Sequence, residues 1–222
     1  MSIRVLIADD QTLVRAGFRM IIEDQPDMAV VAEAQTGSEA IALSAGACPD
    51  VVLMDIRMPG LDGIEATRRL ARRGRAPRVV MLTTYDLDEY LFDALSAGAS
   101  GFLLKDVPPE DLVHAIRVTS AGDALLVPAL TRRLIEQFVR SRPVATDTEL
   151  LGQLTDRERD VLRLIARGRT NTEIAADLYL GESTIKTHIG HILEKLQLRD
   201  RVQAVILAYE TGLVQPGHPP AT

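Results

Sequence analysis

The chain has 222 residues, 46% hydrophobic and 25% charged, a mix that suits one large or two small globular domains. No apolar run approaches the ~18–20 residues needed to span a bilayer, and the opening MSIRVLIADDQ meets two acids too soon for a signal peptide. No membrane association is therefore expected, and the cytoplasm is the expected compartment. Net charge is −6, and the acid excess lies before residue 123, where 12 Lys+Arg face 18 Asp+Glu; an acidic half beside a balanced one points to different partners for each.

Five apolar runs come first: Ile3–Ala8, Ala29–Ala34, Val51–Met54, Val79–Thr83 and Gly101–Leu104. Helical patterns alternate with them near Thr12–Glu23, Ser38–Ala47, Gly63–Arg73, Leu87–Ala97 and Pro109–Ala121. Thr36 with Glu39 reads as a capping box for the second helix. Five βα units with continuous apolar strands predict an α/β doubly wound, five-stranded parallel sheet covered on both faces. In such folds the ligand crevice lies at the C-terminal strand ends. Cys48 rules out an intrachain disulfide or a cysteine zinc cluster, and its Ala/Gly-rich setting predicts a buried filler. Met54, Met58 and Met81 read as packing, and His114 as a surface residue.

The βα rhythm stops after Gly122. Pro128–Arg140 has helical spacing, and the polar Ser141–Leu150 reads as a flexible joint. From Leu154 the pattern is helical throughout. Capping boxes Thr155–Glu158 and Thr170–Glu173 open two helices, the second over Ile174–Leu178. A turn at Tyr179–Gly181 leads to a longer helix, roughly Glu182–Leu196, and a last helix covers roughly Asp200–Thr211. The expected organisation is a first domain over 1–122, a linker with a helix over 123–152, a small all-α domain over 153–214 and a disordered tail over 215–222.

The predicted strand ends bring together Asp9, Asp10, Asp55, Thr83 and Lys105. Three clustered carboxylates repel one another, and a divalent cation with oxygen ligands, Mg2+, relieves that cost. One carboxylate is then free to attack phosphorus, while a hydroxyl and an ammonium take the phosphoryl oxygens. Asp9-Asp10 capping the first helix, or Asp55 as a turn residue, are the bland alternatives for each acid taken singly.

IADDQ, VVLMDIRMPGLDG, VVMLTTYD and GASGFLLKD resemble the receiver domain of two-component response regulators, a flavodoxin-like fold, over the whole first domain. The resemblance implies that Asp55 is the phosphoacceptor, and that Asp10, Asp55 and the Arg57 carbonyl hold Mg2+ with Asp9 on a metal water. It makes Thr83 the switch hydroxyl, Lys105 the phosphate partner and Phe102 the switch aromatic. The domain would catalyse only its own phosphorylation and dephosphorylation. Asp106 replaces the family's usual proline, which puts the family's cis peptide there in doubt. Arg57 and Tyr85 fall at positions bordering the approach of hydrolytic water. A haloacid-dehalogenase-like phosphatase would need a second Asp where Arg57 stands.

In the longer helix Ile185, Ile189, Ile192, Leu193 and Leu196 share one face, leaving Thr187, Gly190, His191 and Glu194 outward with Lys186 on the flank. A short helix, a turn and a longer helix with a polar face describe a helix-turn-helix. The stretch from Leu154 to Tyr209 resembles the LuxR-type helix-turn-helix, so the whole chain is similar to NarL/LuxR-class response regulators. That resemblance implies DNA contacts from Lys186, Thr187, Gly190 and His191. Its implied partners are a sensor histidine kinase, double-stranded promoter DNA and RNA polymerase, with a homodimer formed on phosphorylation. Gly181 replaces the family's serine cap, and Gly190 a longer polar side chain, where it also reads as a packing concession. Val202, Val205, Ile206 and Tyr209 read equally as domain core or as a dimerisation face.

Overall fold

The computed structural model describes residues 2–72, 76–84, 87–122 and 148–214. The chain forms two compact units, Met1–Leu125 and Leu126–Thr222. The expected helix over Pro128–Arg140 and the tail from residue 215 lie outside the described residues.

The first unit alternates β1 (Ile3–Ala8), α1 (Thr12–Glu23), β2 (Met28–Ala34), α2 (Gly37–Ala47), β3 (Val51–Asp55), α3 (Gly63–Ala71), β4 (Arg78–Thr83), α4 (Leu87–Ala97), β5 (Gly101–Leu104) and α5 (Pro109–Ser120). Its sheet has the order β2-β1-β3-β4-β5, with every pairing parallel. Continuous apolar strands fit this arrangement because both faces are covered. Val5, Ile7, Leu53 and Val80 face Phe18, Ile22, Leu112 and Ile116 of α1 and α5 in one core. Leu6, Met54, Leu70 and Met81 are also fully buried, and Thr67 on α3 reaches Met81. Chain order reverses between β1 and β3, which opens a crevice at their C-terminal ends.

Two local expectations change. Cys48 is exposed, because it closes α2 in a left-handed conformation (φ 40°) that turns it out of the core. Thr36 accepts from the Glu39 amide, but the Glu39 carboxylate accepts from the amide of Gln35 rather than Thr36, so the box is not fully reciprocal.

The second unit contains α6 (Thr148–Leu151), α7 (Asp156–Ala166), α8 (Asn171–Leu178), α9 (Glu182–Lys195) and α10 (Arg201–Glu210). The α6 turn takes the end of the segment expected to be a flexible joint; residues 141–147 lie outside the described residues. Both capping boxes form as reciprocal pairs, Thr155 with Glu158 and Thr170 with Glu173. Tyr179 ends α8 with φ 55° and sets the turn into α9. Helix α10 packs on α7, and the Tyr209 hydroxyl donates to the Ala166 carbonyl at 3.0 Å. Burial pushes that phenol up to about 12. Val202, Val205, Ile206 and Tyr209 are all buried, which favours the core reading of this face over the dimer reading. No described helix is long and apolar enough to cross a membrane.

Candidate functional site

Asp55 ends β3, and Asp9 and Asp10 follow β1, its sheet neighbour. Asp9 and Asp55 are buried, whereas Asp10 is exposed. One carboxylate oxygen from each lies within 4.8 Å of the others. Lys105, just past β5, places Nζ 2.8 Å from Asp9 Oδ2 and 3.0 Å from Asp55 Oδ2. Its amide donates to the Thr83 carbonyl at 2.8 Å, joining the ends of β4 and β5. Thr83 and Phe102 are both buried. The five predicted residues therefore converge on one end of the sheet.

Burial raises the Asp55 carboxyl above its ordinary value, and the Asp9 charge adds to this against the opposing pull of Lys105. Burial alone would lower the Lys105 ammonium, but the two carboxylates outweigh it and hold it up. Asp9 Oδ2 is buried without a hydrogen bond aligned to it, despite the nearby ammonium. A buried oxygen left in that condition, beside two more carboxylates, suits a hard divalent cation.

The acids are not spent on capping α1. Its N-cap is Gln11, which makes no side-chain cap bond, and Asp9 Oδ1 accepts from the Gln11 amide at 2.9 Å. Arg15, unremarked in the sequence, is buried and donates Nη1–H to the Asp9 carbonyl at 2.8 Å. It also pairs with Glu33 at 3.3 Å, so α1 and β2 together fix the chain at Asp9. Gly63 was also missed. Its amide donates to the Ile56 carbonyl at 2.9 Å, and a Cβ there would lie 1.9 Å from the Asp55 carbonyl oxygen. The Asp62-Gly63 pair within PGLDG was its only signal. Arg57 is exposed and stands over the ring of Tyr90 on α4, a partner no local pattern indicates. Tyr85 lies outside the described residues. No cis peptide bond occurs among the described residues. His114 is exposed on α5, as expected.

In the second unit Ile185, Ile189, Ile192 and Leu196 are buried, with Leu193 intermediate. Lys186, Thr187, Gly190, His191 and Glu194 are exposed, and His188 is half-buried. Gly181 caps α9 without a side-chain bond. Lys186 Nζ lies 3.9 Å from Glu182 Oε1, one turn earlier. A Cβ at Gly190 would have no atom within 4 Å, which removes the packing explanation for that glycine. Arg157 donates to the Leu178 carbonyl at 2.7 Å and Arg201 to Asn171 Oδ1 at 2.7 Å, fixing both ends of α8.

Residues 5–117 match the response regulator receiver domain family, and residues 152–208 match the luxR family of bacterial regulatory proteins. The chain belongs to the response regulators of two-component systems. It joins a receiver domain to a LuxR-type helix-turn-helix DNA-binding domain. It is 44% identical over 214 residues to the transcriptional regulatory protein YxjL of Bacillus subtilis, covering 96% of this chain and 98% of the relative. It is 39% identical over 206 residues to the nitrate/nitrite response regulator NarL of Escherichia coli, covering 93% and 94%. Among solved structures, the RcsB–DNA complex is 25% identical with a TM-score of 0.56, covering 95% of this chain and 99% of that one. This response regulator spans nearly the whole length of each of these relatives.

Proposed function

We propose that Asp55 accepts a phosphoryl group from a sensor histidine kinase and that the phosphorylated chain binds promoter DNA as a homodimer. The observation that carries this is the buried Asp55, held 3.0 Å from the Lys105 ammonium beside Asp9 and Asp10. An oxygen of Asp55 attacks phosphorus and forms the new P–O bond. The bond from phosphorus to the donor breaks, and the donor leaves with its electron pair. Lys105 changes partner from carboxylate to phosphoryl oxygen, and the Thr83 hydroxyl donates to a second oxygen. Phe102 follows the move of Thr83. Asp9, Asp10 and Asp55 are the residues that would hold Mg2+, with the Arg57 carbonyl as a further ligand. Bound there, the ion supplies charge neutralisation for the incoming phosphoryl group. The receiver acts as catalyst only for gaining and losing its own phosphoryl group.

Residues 1–122 serve as the phosphoacceptor domain, 123–152 as a linker and 153–214 as the DNA-binding domain. Helix α9 enters the major groove with Lys186, Thr187, His191 and the bare backbone of Gly190 toward the DNA. The work is cytoplasmic, and RNA polymerase is the machinery on which the bound protein acts. Incubation with acetyl phosphate and Mg2+, followed by intact-mass analysis, tests the first step. A phosphoryl adduct that disappears in Asp55→Asn and in EDTA is expected; a full adduct on Asp55→Asn overturns the assignment. Gel shifts and light scattering before and after phosphorylation test the second. Identical mass and DNA affinity in both forms would refute it.

A further inference from the structure

Arg57 follows Asp55 by two residues, and its guanidinium carbon stands 5.8 Å from the centroid of the Tyr90 ring. A cation within ~6 Å of a ring face is attracted by the ring quadrupole. The contact bridges two separate elements, the loop after β3 and helix α4. Asp10, Arg57, Met58 and Tyr90 line one recess of about 400 Å³. Asp10 is also one of the three clustered acids, so this recess borders the phosphorylation site. Among the described residues Arg57 has no ion pair to a carboxylate, and the Tyr90 ring is the group that its side chain meets.

We propose that Tyr90 is a positioning residue that fixes the Arg57 guanidinium over this recess and so prolongs the life of the acyl phosphate. The proposal rests on the reading of Asp55 as phosphoacceptor. Hydrolysis requires a water oxygen to attack phosphorus as the P–O bond to Asp55 breaks. The bonding electrons return to the carboxylate, inorganic phosphate leaves, and the water proton passes to solvent. A guanidinium is a donor without acceptor capacity, so it cannot take that proton. Held in one place, it also occupies volume that an aligned water would need, and alignment is a large part of the rate. Without the ring, Arg57 regains its rotamer freedom and vacates the recess for part of the time.

The test uses the full-length protein, phosphorylated with acetyl phosphate in Mg2+, freed of donor and followed by intact mass. Tyr90→Leu should shorten the half-life about threefold, the scale of one exposed cation–π contact. Tyr90→Phe keeps the ring face and should stay near the wild-type rate. Arg57→Met should accelerate decay as Tyr90→Leu does, and the double variant should be no faster than either single, since the two act through one contact. The adduct yield at saturation reports whether each variant is folded and competent. A normal yield with unchanged decay in Tyr90→Leu overturns this proposal alone. So does Tyr90→Phe decaying as fast as Tyr90→Leu, or an additive double variant. A wild-type chain that takes no adduct overturns the Asp55 reading and this proposal with it.

Discussion

Gly63 approaches Asp55 so closely that a Cβ on the glycine would lie 1.9 Å from the Asp55 carbonyl oxygen and 2.9 Å from its carbonyl carbon. Backbone cannot yield as a flexible side chain does, so Gly63→Ala must push α3 or the loop after β3 away from the site. Overpacking of this kind costs about 1–3 kcal/mol, occasionally more. The urea midpoint of Gly63→Ala should fall accordingly, and its phosphoryl adduct should form more slowly. A variant with the wild-type midpoint and wild-type phosphorylation would contradict this placement.

The difference between Gly63 and the acids shows what the sequence made legible. Strands β1 and β5 were readable to the residue because a strand buried on both faces is a continuous apolar run that ends abruptly. The site was readable because doubly wound topology brings strand ends together, and Asp9, Asp55, Thr83 and Lys105 stand at or just beyond them. Gly63 lies inside a motif, but its necessity is a tertiary contact with β3 that no local pattern encodes. Nothing in the local pattern sets Arg15 apart from the other charges of α1; the Asp9 carbonyl and Glu33 are what make its burial tolerable. Cys48 misled because small neighbours suggested burial, whereas the left-handed end of α2 exposes it. Residues at the end of a polar joint formed the α6 turn, where propensity was too weak a guide.

The pairing of Glu158 with Lys195 gives the second unit a predictable acid sensitivity. Glu158 is 3% exposed, accepts from Lys195 at 2.7 Å and 2.9 Å, and also accepts from the Thr155 amide. Burial alone would raise its carboxyl, but these partners outweigh burial and hold it below the ordinary 4.5. A carboxylate depressed in the folded state stabilises it above the unfolded value, and that stability is lost as pH falls through the lower folded value. Glu158→Gln should cost about 1–2 kcal/mol at neutral pH, near the lower end for bonds to charged groups because Lys195 stays partly solvated. Urea titrations followed by circular dichroism should show the two proteins converging as acid protonates Glu158. A gap that is constant down to about pH 3 would mean that the charge contributes nothing.

Gly190 is exposed in the middle of α9, and a Cβ there would meet nothing within 4 Å. Glycine in an exposed helix interior costs about 0.8–1 kcal/mol relative to alanine. Gly190→Ala should therefore raise the stability of the second unit by up to that amount, measured by hydrogen exchange of α9 amides in the full chain. If the backbone of α9 lies close to DNA at this point, the same change should weaken binding while it stabilises the fold. Loss of stability in Gly190→Ala would show a steric demand absent from this structure.

Lys186 is exposed on the first turns of α9, and its ammonium lies 3.9 Å from Glu182. An exposed pair at that distance contributes little to stability, so Lys186 is free to respond to DNA, while Glu182 also accepts from the Thr172 hydroxyl at 3.4 Å. The second domain carries no net positive charge from residue 154 onward, with nine basic and nine acidic residues. Each phosphate contact it makes is consequently a large share of its electrostatic attraction. Neutralising one phosphate releases condensed counterions, so removing the cation should weaken binding across sequences and lower the salt slope by ~1. Glu182→Gln should act in the opposite direction, strengthening binding by relieving repulsion between the acid and the DNA backbone while leaving Lys186 in place. Fluorescence anisotropy on promoter fragments over a salt series measures affinity and slope together. Were Lys186→Ala to leave both unchanged, α9 would not be the helix that enters the groove.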